Sequence, residues 1–173
     1  MNAPAYIIEQ TQKLNINDLR RMTFDELNEL YRLAKRPSAI SDLDGDAVGA
    51  MLAWRSPQRG PVAWFLRTFG ASSLFPWEGK SFVSKGRDTG EGINRINLFG
   101  KRRWFPFATR FDASFLDGQP TFVLDYGSRP NPPLINQIVD EVREVSPGLY
   151  MGPAALKIGG KPRLVLFFAV SHQ

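Results

Sequence analysis

The chain contains no cysteine. That excludes disulfides, zinc–thiolate centres, iron–sulfur clusters and cysteine nucleophiles, and it fits a reducing compartment. Histidine is almost as scarce, with His172 alone, next to the C-terminus. A histidine-rich metal site is excluded, and a Ser-His-Asp triad would have to use a terminal residue. No run reaches the roughly 18 uninterrupted apolar residues of a membrane-spanning helix. The opening residues lack the basic start and apolar run of a secretory leader. There is no P-loop, and Gly90-Glu91-Gly92 lacks the third glycine of a dinucleotide-binding turn. These absences lead us to expect a cytoplasmic protein with no transmembrane segment, no metal and no cofactor.

What the chain does have is aromatic mass. Its 173 residues include 13 Phe and 4 Trp, and 43% of positions are hydrophobic. That suffices for one domain with a sizeable core, and aromatics suit half-buried pleated surfaces. The net charge is +5, with the basic residues scattered along the chain, a pattern of solubility more than of a partner surface. The one basic cluster, Lys101-Arg102-Arg103 before Trp104 and Phe105, falls in an expected hairpin. It reads as a solvated turn, so a nucleic-acid partner is not expected. Asp42-Leu43-Asp44-Gly45-Asp46 has a calcium-loop look, but Ala53 stands where the twelfth-position glutamate belongs.

Residues 1–22 read as a polar N-terminal arm and 23–173 as a single domain. Thr23-Phe24-Asp25-Glu26 is a capping box. Phe24, Leu27, Leu30 and Tyr31 follow at helical spacing, and Pro37 ends the helix. Strands are expected over Val48–Arg55, Lys80–Lys85, Ile93–Phe99, Arg102–Asp112, Thr121–Tyr126, Leu149–Ile158 and Arg163–Ser171. The last two form a hairpin across Gly159-Gly160. Asn131 is expected to cap a second helix carrying Leu134, Ile135, Ile138, Val142 and Val145, ended by Pro147-Gly148. Leu164 to Val170 is apolar on both faces, so that strand is central or has a helix packed behind it. Seven nearly consecutive strands and two helices predict a mainly β protein. The preferred architecture is a barrel with a central cavity, and the alternative is an α+β NTF2-like curved sheet on helices.

Four phrases carry a resemblance over roughly residues 23–170. They are Trp77-Glu78-Gly79-Lys80-Ser81-Phe82, Phe122-Val123-Leu124-Asp125-Tyr126, Asp140-Glu141-Val142-Arg143 and Pro147-Gly148-Leu149-Tyr150-Met151-Gly152. Together they resemble an uncharacterised bacterial family with W-x-G-K-x-F, L-D-Y-S and D-E-I-R-x-x-x-P-G-L-Y-L-G motifs. This chain has Gly127 in place of the serine, Val142 in place of isoleucine and Met151 in place of leucine. The resemblance implies no reaction. The layout also resembles the calycin group of lipocalin-like barrels, which implies a barrel holding an apolar ligand. The lipocalin Gly-x-Trp signature is absent, since Leu52-Ala53 precede Trp54.

The segment Pro61 to Trp77 lies between the first two expected strands, where such barrels carry a lid. Its apolar residues suit three roles: a lid over a cavity mouth, a plug of ordinary core, or a patch for a protein or membrane surface. The leading expectation is a barrel that binds a small hydrophobic or aromatic molecule. Trp54, Trp64, Phe65, Phe69, Trp77, Asn97, Arg110 and Tyr150 are its candidate ligand-binding residues. The alternative is a cofactor-free cyclase, isomerase or dehydratase. Its acid–base candidates are Asp125, Tyr126 and Glu141. Asp125 shares a strand face with Val123, and Arg110 is its expected cation; its structural alternative is a turn carboxylate before Gly127. Glu141, on the expected helix, falls roughly 70° from the centre of the apolar stripe. Its structural alternative is a salt bridge to a basic strand residue.

Overall fold

The computed structural model describes residues 13–55, 77–97 and 99–172. Eight strands run in chain order: β1 (Gly45–Trp54), β2 (Trp77–Ser84), β3 (Thr89–Asn97), β4 (Lys101–Ala113), β5 (Pro120–Asp125), β6 (Ile138–Ser146), β7 (Leu149–Ile158) and β8 (Lys161–Ser171). Each pairs antiparallel with its sequence neighbour, and β8 pairs back onto β1, so the sheet closes into a barrel. Closure gives each strand a neighbour on both sides, which limits pairing with other chains. The curved open sheet considered from sequence is therefore not what this chain forms. Local chemistry supports the meander. Gly159 and Gly160 both have positive φ between the paired residues Ile158 and Lys161, the backbone of a two-residue hairpin turn.

One expected helix is a strand. Of the stretch expected as this helix, only Ile135–Gln137 is helical, as a single 3-10 turn, and Ile138–Ser146 is β6, seated between β5 and β7. Asn131 caps no helix; its side-chain amide donates to the carbonyls of Pro106 and Tyr126. The reason lies in what β6 presents to its two sides. Ile138 and Val142 point into the barrel, while Val139 and Val145 point outward. A strand that is apolar on both faces, with acids interspersed, mimics helical spacing. Its β-branched residues favour the extended form.

Among the described residues, two α-helices lie outside the barrel. Thr23 caps α2 (Phe24–Leu33) through the reciprocal bonds with Glu26 read from the sequence. Ahead of it, Ile16–Leu19 form one capped turn, α1. Leu19, Leu27 and Tyr31 are fully buried with Leu149, Met151, Phe167 and Ala169 in an outer cluster. On the opposite face of β8, Leu166, Phe168 and Val170 join the interior cluster. This accounts for the doubly apolar last strand: barrel core on one side, helices on the other.

Interior rings fit because glycine faces them. A Cβ at Gly92 would lie 2.3 Å from the Phe107 ring, and one at Gly49 would lie 2.6 Å from the Trp77 indole. Replacing fully buried Phe167 with alanine is expected to cost about 3–5 kcal/mol through the cavity it leaves. Loss of the Thr23 cap by Thr23→Ala is expected to cost about 1 kcal/mol. Urea titration of both variants checks this; an equal loss for the two would contradict the outer cluster as the main helix anchor.

Candidate functional site: a buried ion pair on a cavity wall

Four strands send polar side chains to one place inside the barrel. Lys80 on β2 is in phase with inward Phe82, Asn94 on β3 with Ile96, and Asp140 on β6 with Val142. Tyr126 follows the end of β5 in phase with Phe122 and Leu124. Lys80 Nζ donates to Asp140 Oδ2 at 3.0 Å, to Asn94 Oδ1 at 3.0 Å and to the Tyr126 hydroxyl at 2.5 Å. The Tyr126 hydroxyl donates to Asp140 Oδ2 at 3.1 Å and accepts from Asn94 Nδ2 at 3.0 Å. Trp77 Nε1 donates to Asn94 Oδ1 at 3.0 Å. The side chains of Lys80 and Asp140 are only 4% and 5% exposed.

Aromatic faces surround the ammonium. Nζ lies 5.1 Å from the ring centroids of Phe107 and Phe168, 5.2 Å from Tyr126 and 5.4 Å from Trp77, within cation–π range. A bulge in β4 shapes the same wall. Between the pairs Ile93–Pro106 and Asn94–Trp104, Phe105 is the extra residue, at φ 60°. A phenylalanine rarely adopts that left-handed backbone, and bulges of this kind re-aim side chains. Its carbonyl accepts from Asn94 Nδ2 at 3.2 Å, and its ring lines a cavity.

The cavity has a volume of about 100 Å³. Its apolar wall includes Trp54, Trp77, Phe105, Ile138, Leu166 and Phe168, and its polar wall is Lys80, Asn94, Tyr126 and Asp140. Burial lowers the Lys80 pKa, and the Asp140 carboxylate partly offsets that. Burial raises the Tyr126 pKa well above its ordinary value, and the Asp140 charge adds to the rise. Tyr126 is therefore a protonated donor at neutral pH. Among the described residues, no group of three or more His, Cys, Asp or Glu is gathered to hold a metal ion.

The residues singled out from sequence scatter over the molecule. Trp54, Trp77 and Tyr126 meet at the cavity. Trp64, Phe65 and Phe69, with most of the 61–77 segment, lie outside the described residues. Tyr150 is buried in the interior cluster away from the cavity, its hydroxyl donating to the Asp42 carbonyl at 3.1 Å. Asn97 is exposed and donates to Glu78. Asp125 lies on the outer face with Val123. Arg110 and Lys157 hold it at 3.2 and 3.4 Å, and together with the Gly127 amide they lower its pKa despite partial burial.

Glu141 also faces outward, on a strand, beneath α2. It accepts from the Tyr31 hydroxyl at 2.7 Å, from Ser114 Oγ at 2.6 Å and from the Phe115 amide at 2.7 Å. Beside it, Arg143 spends all five donors. They go to both oxygens of Asp117 and to the carbonyls of Tyr31, Gln119 and Pro120. This second cluster fastens α2 to the barrel, and neither Asp125 nor Glu141 reaches the cavity.

Lys80, Asn94 and Asp140 are the residues that sequence reasoning passed over. Their signal was phase: each is a polar side chain in step with the inward apolar residues of its strand. Lys80 and Asp140 do occur in the quoted phrases. The tryptophan and lysine of Trp77-Glu78-Gly79-Lys80, the tyrosine closing Leu124-Asp125-Tyr126 and the aspartate of Asp140-Glu141 all meet inside the barrel.

The fold thus defines a closed eight-stranded antiparallel barrel with an interior cavity, and it fits a calycin-like layout. Among solved structures, it is similar to the crystal structure of a protein from Thermomonospora curvata. The identity is 17%, the match covers 98% of this chain and 95% of that one, and the TM-score is 0.47. No protein-family model matches the chain, and no curated protein matches its sequence.

Asp117 gives a test of the outer cluster. Arg143 bonding holds its carboxyl below the ordinary aspartate pKa. A depressed folded pKa adds stability above the unfolded value, and that stability is lost as pH falls through the folded value. Asp117→Ala leaves the buried Arg143 guanidinium without its carboxylate and is expected to cost about 3–5 kcal/mol at pH 7. The deficit relative to wild type is expected to shrink below about pH 4. Denaturation curves at pH 7 and pH 3 check both; a pH-independent difference would remove Asp117 as the titrating group.

Proposed function

We propose that the barrel binds a small, largely apolar molecule in the cavity lined by Trp54, Trp77, Phe105 and Phe168. The observation that carries this reading is the ion pair Lys80–Asp140 on the wall of that cavity. A buried ion pair is costly to desolvate, and apolar side chains of similar volume are often as stable or more so. An aromatic interior has no structural need of it. A concave apolar site with a few convergent polar groups is the usual form of a small-molecule site. The calycin-like layout supports the same reading at the level of fold alone.

One observation favours a second reading, that of a cofactor-free enzyme on such a molecule. Lys80, Tyr126 and Asp140 share a hydrogen-bonded proton network, and burial lowers the pKa of the amine. Groups tuned in that way suit proton transfer. The acid–base candidates on this reading become Lys80 and Asp140, with Tyr126 retained.

Two measurements test the proposal. Thermal-shift and tryptophan-fluorescence titrations with neutral aromatic and aliphatic probes are expected to show stabilisation by at least one class. A ligand at 100 times its Kd adds about 2.7 kcal/mol. No shift and no fluorescence change with any class would sink the binding reading.

Substitution separates stability from function. Lys80→Met leaves Asp140 buried and unpaired and is expected to cost about 3–5 kcal/mol. The double variant Lys80→Met, Asp140→Leu is expected to recover most of that loss while losing ligand selectivity. A double variant that keeps wild-type selectivity would assign the pair a purely structural role.

A further inference from the structure

This inference rests on the binding reading above and specifies the ligand chemistry. Counting donors and acceptors around the ion pair shows what is left unspent. The three ammonium protons of Lys80 go to Asp140, Asn94 and Tyr126. Asn94 donates twice, to the Phe105 carbonyl and the Tyr126 hydroxyl, and accepts from Trp77 and Lys80. The Tyr126 hydroxyl accepts twice and donates once. Asp140 Oδ2 accepts from Lys80 and Tyr126. Asp140 Oδ1 is buried and has no hydrogen-bond partner. The cluster therefore has an acceptor to spare and no donor.

We propose that the cavity selects a neutral ligand with an apolar, ring-sized body and a single hydroxyl or N–H that donates to Asp140 Oδ1 once the carboxylate turns to face the cavity, since as it stands that oxygen is closed to a molecule the size of water. A buried acceptor left unpaired is costly, and a ligand donor removes that cost. The same count disfavours acids. A carboxylate ligand would find every Lys80 proton already engaged, and it would add a net negative charge to a pair that is neutral as it stands. Size agrees with the chemistry. A cavity of about 100 Å³ is of the order of the roughly 150 Å³ that holds benzene in a protein core.

The test uses four probes of nearly equal size, phenol, toluene, anisole and benzoate, titrated into the full chain and followed by heteronuclear NMR. Phenol is expected to bind about tenfold or more tighter than toluene and anisole, one charge-assisted hydrogen bond, with benzoate weakest. Toluene lacks any polar atom, and anisole accepts without donating, so the pair isolates the donor. Equal affinity for phenol, toluene and anisole would overturn the donor assignment and leave the apolar cavity standing. Tightest binding by benzoate would overturn it as well. Absence of binding by all four would overturn the binding reading itself.

Two variants locate the effect. Ala154→Leu fills the cavity wall and is expected to abolish phenol shifts; unchanged shifts would place the ligand elsewhere and overturn the proposal. In Asp140→Asn the phenol advantage over toluene is expected to vanish, with toluene affinity reporting that the cavity persists. A retained advantage would overturn the role of Oδ1. The wild-type series decides the question of the donor even where a variant does not fold.

Discussion

An ammonium group and a carboxylate, 3.0 Å apart and cut off from water by aromatic rings, organise the inside of this barrel. Neither charge is tolerable there alone, so the two must arrive together. Lys80 comes from β2 and Asp140 from β6, strands that are never neighbours in the sheet. Their meeting requires the barrel to be closed and the interior to be narrow. Asn94 and Tyr126 then complete the network from β3 and the end of β5. The bulge at Phe105 supplies the carbonyl that orients Asn94. Four strands and one distorted backbone position converge on a pair of atoms.

A second polar cluster, outside the sheet, has a different character. Glu141, Tyr31, Ser114 and Thr121 share hydrogen bonds beneath α2, and Arg143 satisfies every donor it has. It is compact, and none of its residues lines the cavity beside Lys80 and Asp140. Its work is mechanical: it fixes the helix whose apolar face covers β7 and β8. The interior pair differs by bordering open space and by keeping one oxygen unspent. That contrast separates a fastening from a binding surface more clearly than burial or pKa does, since both clusters are buried and both perturb their titrating groups.

Much of the fold was legible because local and global signals agreed. The Thr23 capping box, the Gly159-Gly160 turn and the doubly apolar last strand each had a single consistent structural reading. β6 was misread because its valines and isoleucines divide between two buried faces, and a double-sided strand has no clean period of two. That error set Glu141 beside the apolar stripe of a helix that does not form and hid Asp140 altogether. The cavity tryptophans Trp54 and Trp77 and the hydroxyl of Tyr126 were reachable from sequence as aromatic residues at strand ends. The ion pair was not, because nothing local shows that residues in β2 and β6 face one another across a barrel.

Asp140 and Glu141 are consecutive, yet one serves the interior network and the other the helix clamp. Side chains on a strand alternate, so a slip of one residue exchanges every inner group for an outer one. Pairing with β5 on one side and β7 on the other holds β6 in its register. A slip of one residue would swing Glu141, longer by one methylene, towards Lys80 and leave a shorter acid under Tyr31. Both polar clusters would be misfitted at once.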